Sequence, residues 1–175
     1  MAILGKSMQT RHPITELNDL DAGEFVRVLG PVFEHSPWIA EITWRQRPFG
    51  GFDSLHHALC DAVRGAPAEK KLSLIRAHPD LVGKMTLTAA SASEQAAAGL
   101  TSLTPGEVAL FQKQNAAYHE KFGFPFIICA RLNKKEAILE GFARRLQNPP
   151  EQEINTALEE IYKIAGLRLR DLLTE

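Results

Sequence analysis

Histidine titrates nearest to neutral pH of the common side chains and is the commonest general acid or base. The chain has six histidines. One of them, His78, stands before Pro79 and Asp80 at the end of a helical stretch. Proline fixes the local chain, so this imidazole sits on a stiff turn. A histidine at a helix end is also an ordinary cap or surface residue. A second candidate is Ser91-Ala92-Ser93-Glu94-Gln95. Placed at a helix start, it combines exposed amides that favour anions with hydroxyls that satisfy those amides. A plain N-terminal cap, with Glu94 near the positive helix end, explains the same residues. A third is the apolar run from Phe122 to Ala130, which carries Pro125 inside it and contains Phe126, Ile127, Ile128 and Cys129. It reads as buried and extended. With no strand to pair with, its backbone polar groups need other partners. They suit a small polar ligand, or the segment simply connects two helices. Fourth, the spacing of Ile161, Ala165 and Leu172 puts Arg168 nearer the buried stripe of the last helix than Arg170. An arginine on a buried side meets a carboxylate, either a ligand's or that of Glu94, and a structural ion pair is the other reading.

Other chemistries lack their signatures. His12, His35, His56, His57 and His119 form no HxxxH or HExxH, and the two cysteines form no CxxC, so a protein-built metal site is not expected. GxSxG, Walker and GxGxxG patterns are missing too. With 20 Lys plus Arg against 21 Asp plus Glu, the chain has no general electrostatic grip on nucleic acid. No apolar run approaches the roughly 20 residues of a membrane helix. Cys60 and Cys129 sit among apolar neighbours and read as buried free thiols. Residues 1–12 do not read as a secretory signal, so the cytoplasm is the expected compartment.

The elements that must position these residues are helices. The length of 175 residues suits one domain, and 45% apolar with 23% charged residues is ordinary for a globular chain. Asn18 or Asp21 caps a helix carrying Phe25, Val28, Leu29 and Val32. Ser36-Pro37 starts a short one, and Gly50-Gly51 breaks it. Asp53 caps the next, and Pro67 opens another that must stop by Ala77 or His78, because Pro79 disfavours a helical residue before it. Ser91 or Ser93 starts an Ala-rich helix ended by Gly99. Thr104-Pro105 with Glu107 marks a further start, Asn133 caps a helix through Leu146, and Glu151 to Leu173 forms a long last helix. The expected fold is all-α: a single compact multi-helix domain over residues 14–175, with one buried extended segment, a long C-terminal helix and a tail at residues 1–13.

Three motifs in a fixed order then matter more than any one of them. His78-Pro79-Asp80-Leu81, Ser91-x-x-Glu94-Gln95 and Lys121-Phe122-Gly123-Phe124-Pro125-Phe126-Ile127, supported by Phe33-Glu34-x-Ser36-Pro37-Trp38 and Ala165-x-Leu167-Arg168-Leu169, resemble the 2-oxo-4-hydroxy-4-carboxy-5-ureidoimidazoline (OHCU) decarboxylases of urate breakdown. The likeness runs from about Ile14 to Leu172. It implies a cofactor-free, metal-free carboxy-lyase that turns OHCU into (S)-allantoin. His78 resembles the catalytic histidine, and Glu94 would orient it or the ligand. Pro79, Ser91, Ala92, Ser93, Glu94 and Gln95, and Phe126, Ile127, Ile128, Cys129 and Ala130, resemble substrate-contacting positions. Arg168 resembles a pocket arginine. The chemistry is coherent without a cofactor, because the ring C=N of OHCU can take up the electrons left by carbon dioxide. A homodimer fits the resemblance and the prevalence of twofold pairs. A non-catalytic helical module holding a ureide or a protein partner is the alternative, and a different enzyme on the same scaffold is another.

Overall fold

The computed structural model describes residues 10–83 and 86–174. They form helices α1 (Ile14–Asp19), α2 (Ala22–Leu29), α3 (Trp38–Trp44), α4 (Phe52–Arg64), α5 (Ala68–Arg76), α6 (Ala89–Ala97), α7 (Pro105–Phe122), α8 (Lys135–Arg145) and α9 (Pro150–Leu172), with short 3₁₀ turns at Gly30–Val32 and Ala130–Leu132. The fold is all-α, and α9 is the long C-terminal helix expected from the sequence. It packs against α4 and α5, and side chains from every helix but the short α6 feed one continuous core, which includes Leu17, Phe25, Ile39, Leu55, Leu59, Phe111, Tyr118, Phe142 and Leu169.

Several helix starts follow the local chemistry of the sequence. The Asp21 carboxylate accepts the Glu24 amide at 2.9 Å. Thr104 and Glu107 form a reciprocal capping box at α7. Helix α5 ends at Arg76, before His78-Pro79. Other caps differ. Helix α6 begins two residues before Ser91, with Thr88 as its cap, so Ser91 and Ser93 lie inside the helix. At α4 the Ser54 hydroxyl, not Asp53, accepts the Gly50 and Gly51 amides. The Asn133 amide donates to the Cys129 carbonyl at 3.0 Å and does not cap α8, and the Ser36 hydroxyl turns back to the Glu34 carbonyl at 2.9 Å. Thr88 and Ser54 take over the caps of α6 and α4, while α3 and α8 have no side-chain cap. Helix α1 was not foreseen; its six residues are too few for a clear period.

Of the expected tail, residues 10–13 are described. His12 pairs with the end of α9, its N–H donating to the Leu172 carbonyl at 2.7 Å and its carbonyl accepting the Thr174 amide at 3.0 Å. The segment after α7 is extended and buried, as its pattern predicts. Gly123, at φ 74°, ends α7 in the left-handed region. Phe126 then stacks on Phe142 with ring centroids 3.8 Å apart and meets Tyr118 edge-on at 5.3 Å. Gly141 makes this packing possible, since a Cβ there would lie 3.3 Å from the Phe126 ring. Among the described residues, no helix is long and apolar enough to cross a membrane.

Candidate active site

The site is assembled from four stretches of chain. His78 follows the last turn of α5, where the final carbonyls of a helix lack partners. Its imidazole folds back so that Nδ1 meets the Leu74 carbonyl at 2.9 Å. A carbonyl only accepts, so Nδ1 carries the hydrogen and Nε2 of the neutral ring presents a lone pair. Nε2 has no hydrogen-bond partner among the described residues. Burial disfavours the charged ring and pushes its pKa down to about 4, against the opposing Leu74 bond and Glu34 charge.

The loop after His78 is clamped from two sides. Gln95 accepts the Val82 amide at 3.0 Å and donates to the Asp80 carbonyl at 3.3 Å. From α7, Asn115 donates to the Leu81 carbonyl at 2.8 Å and His119 donates to the Asp80 carboxylate at 2.8 Å. Val82 takes φ 56°, a conformation that a β-branched residue adopts only when its surroundings enforce it.

Arg168 projects from α9 into a group of acids. Its Nε and Nη2 donate to the two oxygens of Glu94 at 2.7 and 2.8 Å, a bidentate fork. Nη1 donates to Glu34 at 2.9 Å and reaches the Pro31 carbonyl at 3.5 Å, while Nη2 also meets the Ser91 hydroxyl at 3.3 Å. All five N–H groups of the guanidinium are thus directed at the protein. Thr88 donates to Glu34 at 2.8 Å, and the Ser91 hydroxyl sits 3.2 Å from both Glu34 oxygens. Ser91 gives its hydrogen to Glu34 and keeps only acceptor capacity for anything else. Burial opposes the Glu34 charge, but Arg168 and the hydroxyl donors outweigh it and hold its pKa below the ordinary value. One cation faces two carboxylates, so the cluster carries one surplus negative charge.

These groups wall a small pocket lined by His78, Pro79, Leu81, Ser91, Glu94, Gln95, Phe126, Ile127, Ile128, Ala130, Ile164 and Arg168. The amides of Ile127 and Ile128 and the Ile128 carbonyl have no hydrogen-bond partner among the described residues. The Ile127 carbonyl is taken by Arg145 at 2.5 Å and the Cys129 amide by Glu160 at 2.8 Å.

The structure therefore brings together ten of the predicted residues and sets three apart. Ala92 and Ser93 are exposed, and Ser93 lines a separate surface groove instead. The cause is helical rotation: 91, 94 and 95 share a face, and 92 and 93 turn away from it. Cys129 is buried behind the cavity wall with a free thiol whose pKa burial raises. Gln95 spends its amide on the His78 loop, and Arg168 meets Glu94, one of the two carboxylate partners the sequence left open for it. Glu34 was missed as a site residue. It lies in one of the stretches quoted for the resemblance, but its partner Arg168 is 134 positions away, and no local period marks such a pair.

Comparison with known proteins bears on the family. The OHCU decarboxylase family model matches residues 18–170. A 2-oxo-4-hydroxy-4-carboxy-5-ureidoimidazoline decarboxylase of Mus musculus is 44% identical over 164 residues, covering 91% of this chain and 92% of the relative. One from Halalkalicoccus jeotgali is 40% identical, covering 93% of each. A crystal structure of (S)-allantoin synthase superimposes with a TM-score of 0.77 at 31% identity, over 93% of this chain and 54% of that one. With its helices, its histidine turn and its acid-bound arginine all on one matched stretch, the chain belongs to the OHCU decarboxylase family.

Proposed function

We propose that this protein decarboxylates OHCU to (S)-allantoin in urate breakdown, without a metal or an organic cofactor, with His78 as the acid/base group. The observation that carries the reading is the His78 imidazole, fixed through Nδ1 and presenting an unpartnered Nε2 in a cavity shared with Glu94 and the Phe126–Ile128 wall. Holding a flat ring between an apolar wall and a rigid imidazole restricts it to the reacting geometry. The unpaired amides of Ile127 and Ile128 can meet amide-like ligand edges as a neighbouring strand would.

In this reading the carboxylate leaves as carbon dioxide, and its bonding electrons form a C=C bond while the ring C=N electrons pass to nitrogen. Solvent supplies the proton for that nitrogen. The neutral His78 takes the proton of the hydroxyl and returns it to the ureido-bearing carbon on one face, which makes the product a single enantiomer. Among the described residues, no group of three or more His, Cys, Asp or Glu is arranged to hold a metal ion. Free, buried Cys60 and Cys129 support the cytoplasm as the compartment.

The test generates OHCU in situ from urate and follows the circular dichroism of allantoin. Acceleration of a single-enantiomer signal is expected. Binding of the ureide without acceleration would favour the non-catalytic module.

A further inference from the structure

We infer that Glu34, which lies outside the cavity, is a positioning residue for the proposed reaction, acting through Arg168 and Ser91. The inference deepens the functional reading and rests on it. Glu34 is 3% exposed and receives hydrogen bonds from Arg168, Thr88 and Ser91. Two of these three donors line the cavity, and Glu34 does not.

The arrangement has a direction. The fork of Arg168 grips Glu94, and a guanidinium is planar, so fixing its third nitrogen fixes the plane of the fork. Glu34 holds that nitrogen, and the Glu94 carboxylate at the cavity wall is oriented as a consequence. Glu34 also takes the hydrogen of Ser91, which leaves the Ser91 oxygen to accept from Arg168 Nη2 at 3.3 Å and ties the two cavity residues together. The helix start of α6, expected from the sequence to attract an anion, gathers the protein's own carboxylate through the hydroxyls of Thr88 and Ser91.

The backbone around Glu34 is held for this purpose. His35 adopts φ 45° and is exposed, and the Ser36 hydroxyl closes the turn onto the Glu34 carbonyl. Among the described residues only His35 and Val82 are non-glycine residues in the left-handed region. Val82 belongs to the loop that fixes His78, and His35 adjoins Glu34. Strained backbone persists where the surroundings over-determine it, and here both instances border the same site.

The test compares Glu34→Gln, which keeps the shape and one acceptor oxygen but loses the charge, with wild type in the chiral assay. The expected result is a folded variant whose kcat falls at least about tenfold while KM stays within about threefold. Unchanged kcat overturns the inference, and so does a loss of activity matched by an equal loss of folded protein. A crystal structure of Glu34→Ala, or of Glu34→Gln if the alanine variant does not fold, gives a readout independent of turnover. Displacement of Arg168 and of the Glu94 carboxylate is expected there, and an unmoved fork overturns the inference. A wild type that makes no chiral allantoin rejects the proposed reaction instead, and the structural readout still decides the role of Glu34.

Discussion

Two arginines are buried in this protein, and they are used differently. Arg145 is 4% exposed and meets one carboxylate, Glu153, which is wholly buried. Its Nε donates to Glu153 at 2.6 Å, its Nη1 to the Ile127 carbonyl at 2.5 Å, and its guanidinium lies 4.3 Å from the Phe126 ring centre. Tyr118 and Asn148 complete the Glu153 oxygens. Burial and the Glu153 bond together push the Tyr118 hydroxyl pKa upward, so it stays a donor. Charges balance one to one, and neither residue lines the cavity. Arg168 is 7% exposed and faces two carboxylates, one of which lines a cavity. The first cluster is balanced in charge, although Arg145 Nη2 has no hydrogen-bond partner among the described residues, and the second carries a surplus charge beside the cavity. Both hold the site, since Arg145 fixes the carbonyl of the wall that Arg168 faces. Only the unbalanced cluster can respond to a ligand.

The contrast can be broken by mutation. The largest effect expected is from His78→Asn, which removes the acid/base group beside the unbalanced cluster. Enzyme-dependent (S)-allantoin formation should fall about 10²–10⁴-fold with the fold retained, read by chiral circular dichroism. Full activity would remove His78 from the mechanism. Next comes the balanced cluster. Glu153→Leu alone leaves Arg145 buried without a charge partner and should cost about 3–5 kcal/mol in denaturant melts. The double variant Arg145→Met with Glu153→Leu should recover most of that stability. Arg168→Met with Glu94→Leu should not recover activity in the same comparison. A double variant at Arg145 and Glu153 as unstable as the single would show that the pair contributes more than charge balance.

A smaller effect is expected from pH. The unfolded chain protonates His78 near pH 6.5, and the folded chain only near 4. Between these values unfolding takes up a proton, so stability declines as pH falls, by about 3 kcal/mol at most from this group. Glu34, with its folded pKa lowered, acts in the same direction, its contribution being lost as pH drops through that value. In thermal melts from pH 7 to 4, wild type should lose stability relative to His78→Asn as pH falls. Parallel curves would show that His78 is not buried as a neutral ring. The smallest effect is none: EDTA should leave turnover unchanged, and inhibition reversed by added metal would reject the cofactor-free reading.

Much of the architecture was legible because it is local. The Thr104 capping box, the stop before Pro79 and the 23-residue last helix each depend on residues within a few positions of one another. The misplaced caps at Asp53, Asn133 and Ser91 show the limit of that legibility. The Ser54 and Thr88 hydroxyls stand in for Asp53 and Ser91, and Asn133 turns to the Cys129 carbonyl, partners whose positions follow only from the folded turn. The site residues at 78, 91, 94, 95 and 168 were reached through motif order and helix faces. The role of Gln95 was not, and the pairing of Arg168 with Glu94 was one of two open readings, because a hydrogen-bond donor count needs the partners in place.

By itself the sequence determined the helices, the stiff turn bearing His78, the buried extended wall and the family to which the chain belongs. These depend on short-range periodicity, proline geometry and ordered motifs. Only the tertiary structure decided that Arg168 is saturated by two acids, that Glu34 is one of them, and that Ser93 and Cys129 stand outside the cavity. Burial and ion pairing are properties of distance in space, and residues 134 positions apart in the chain come within 2.9 Å only when the helices between them have packed.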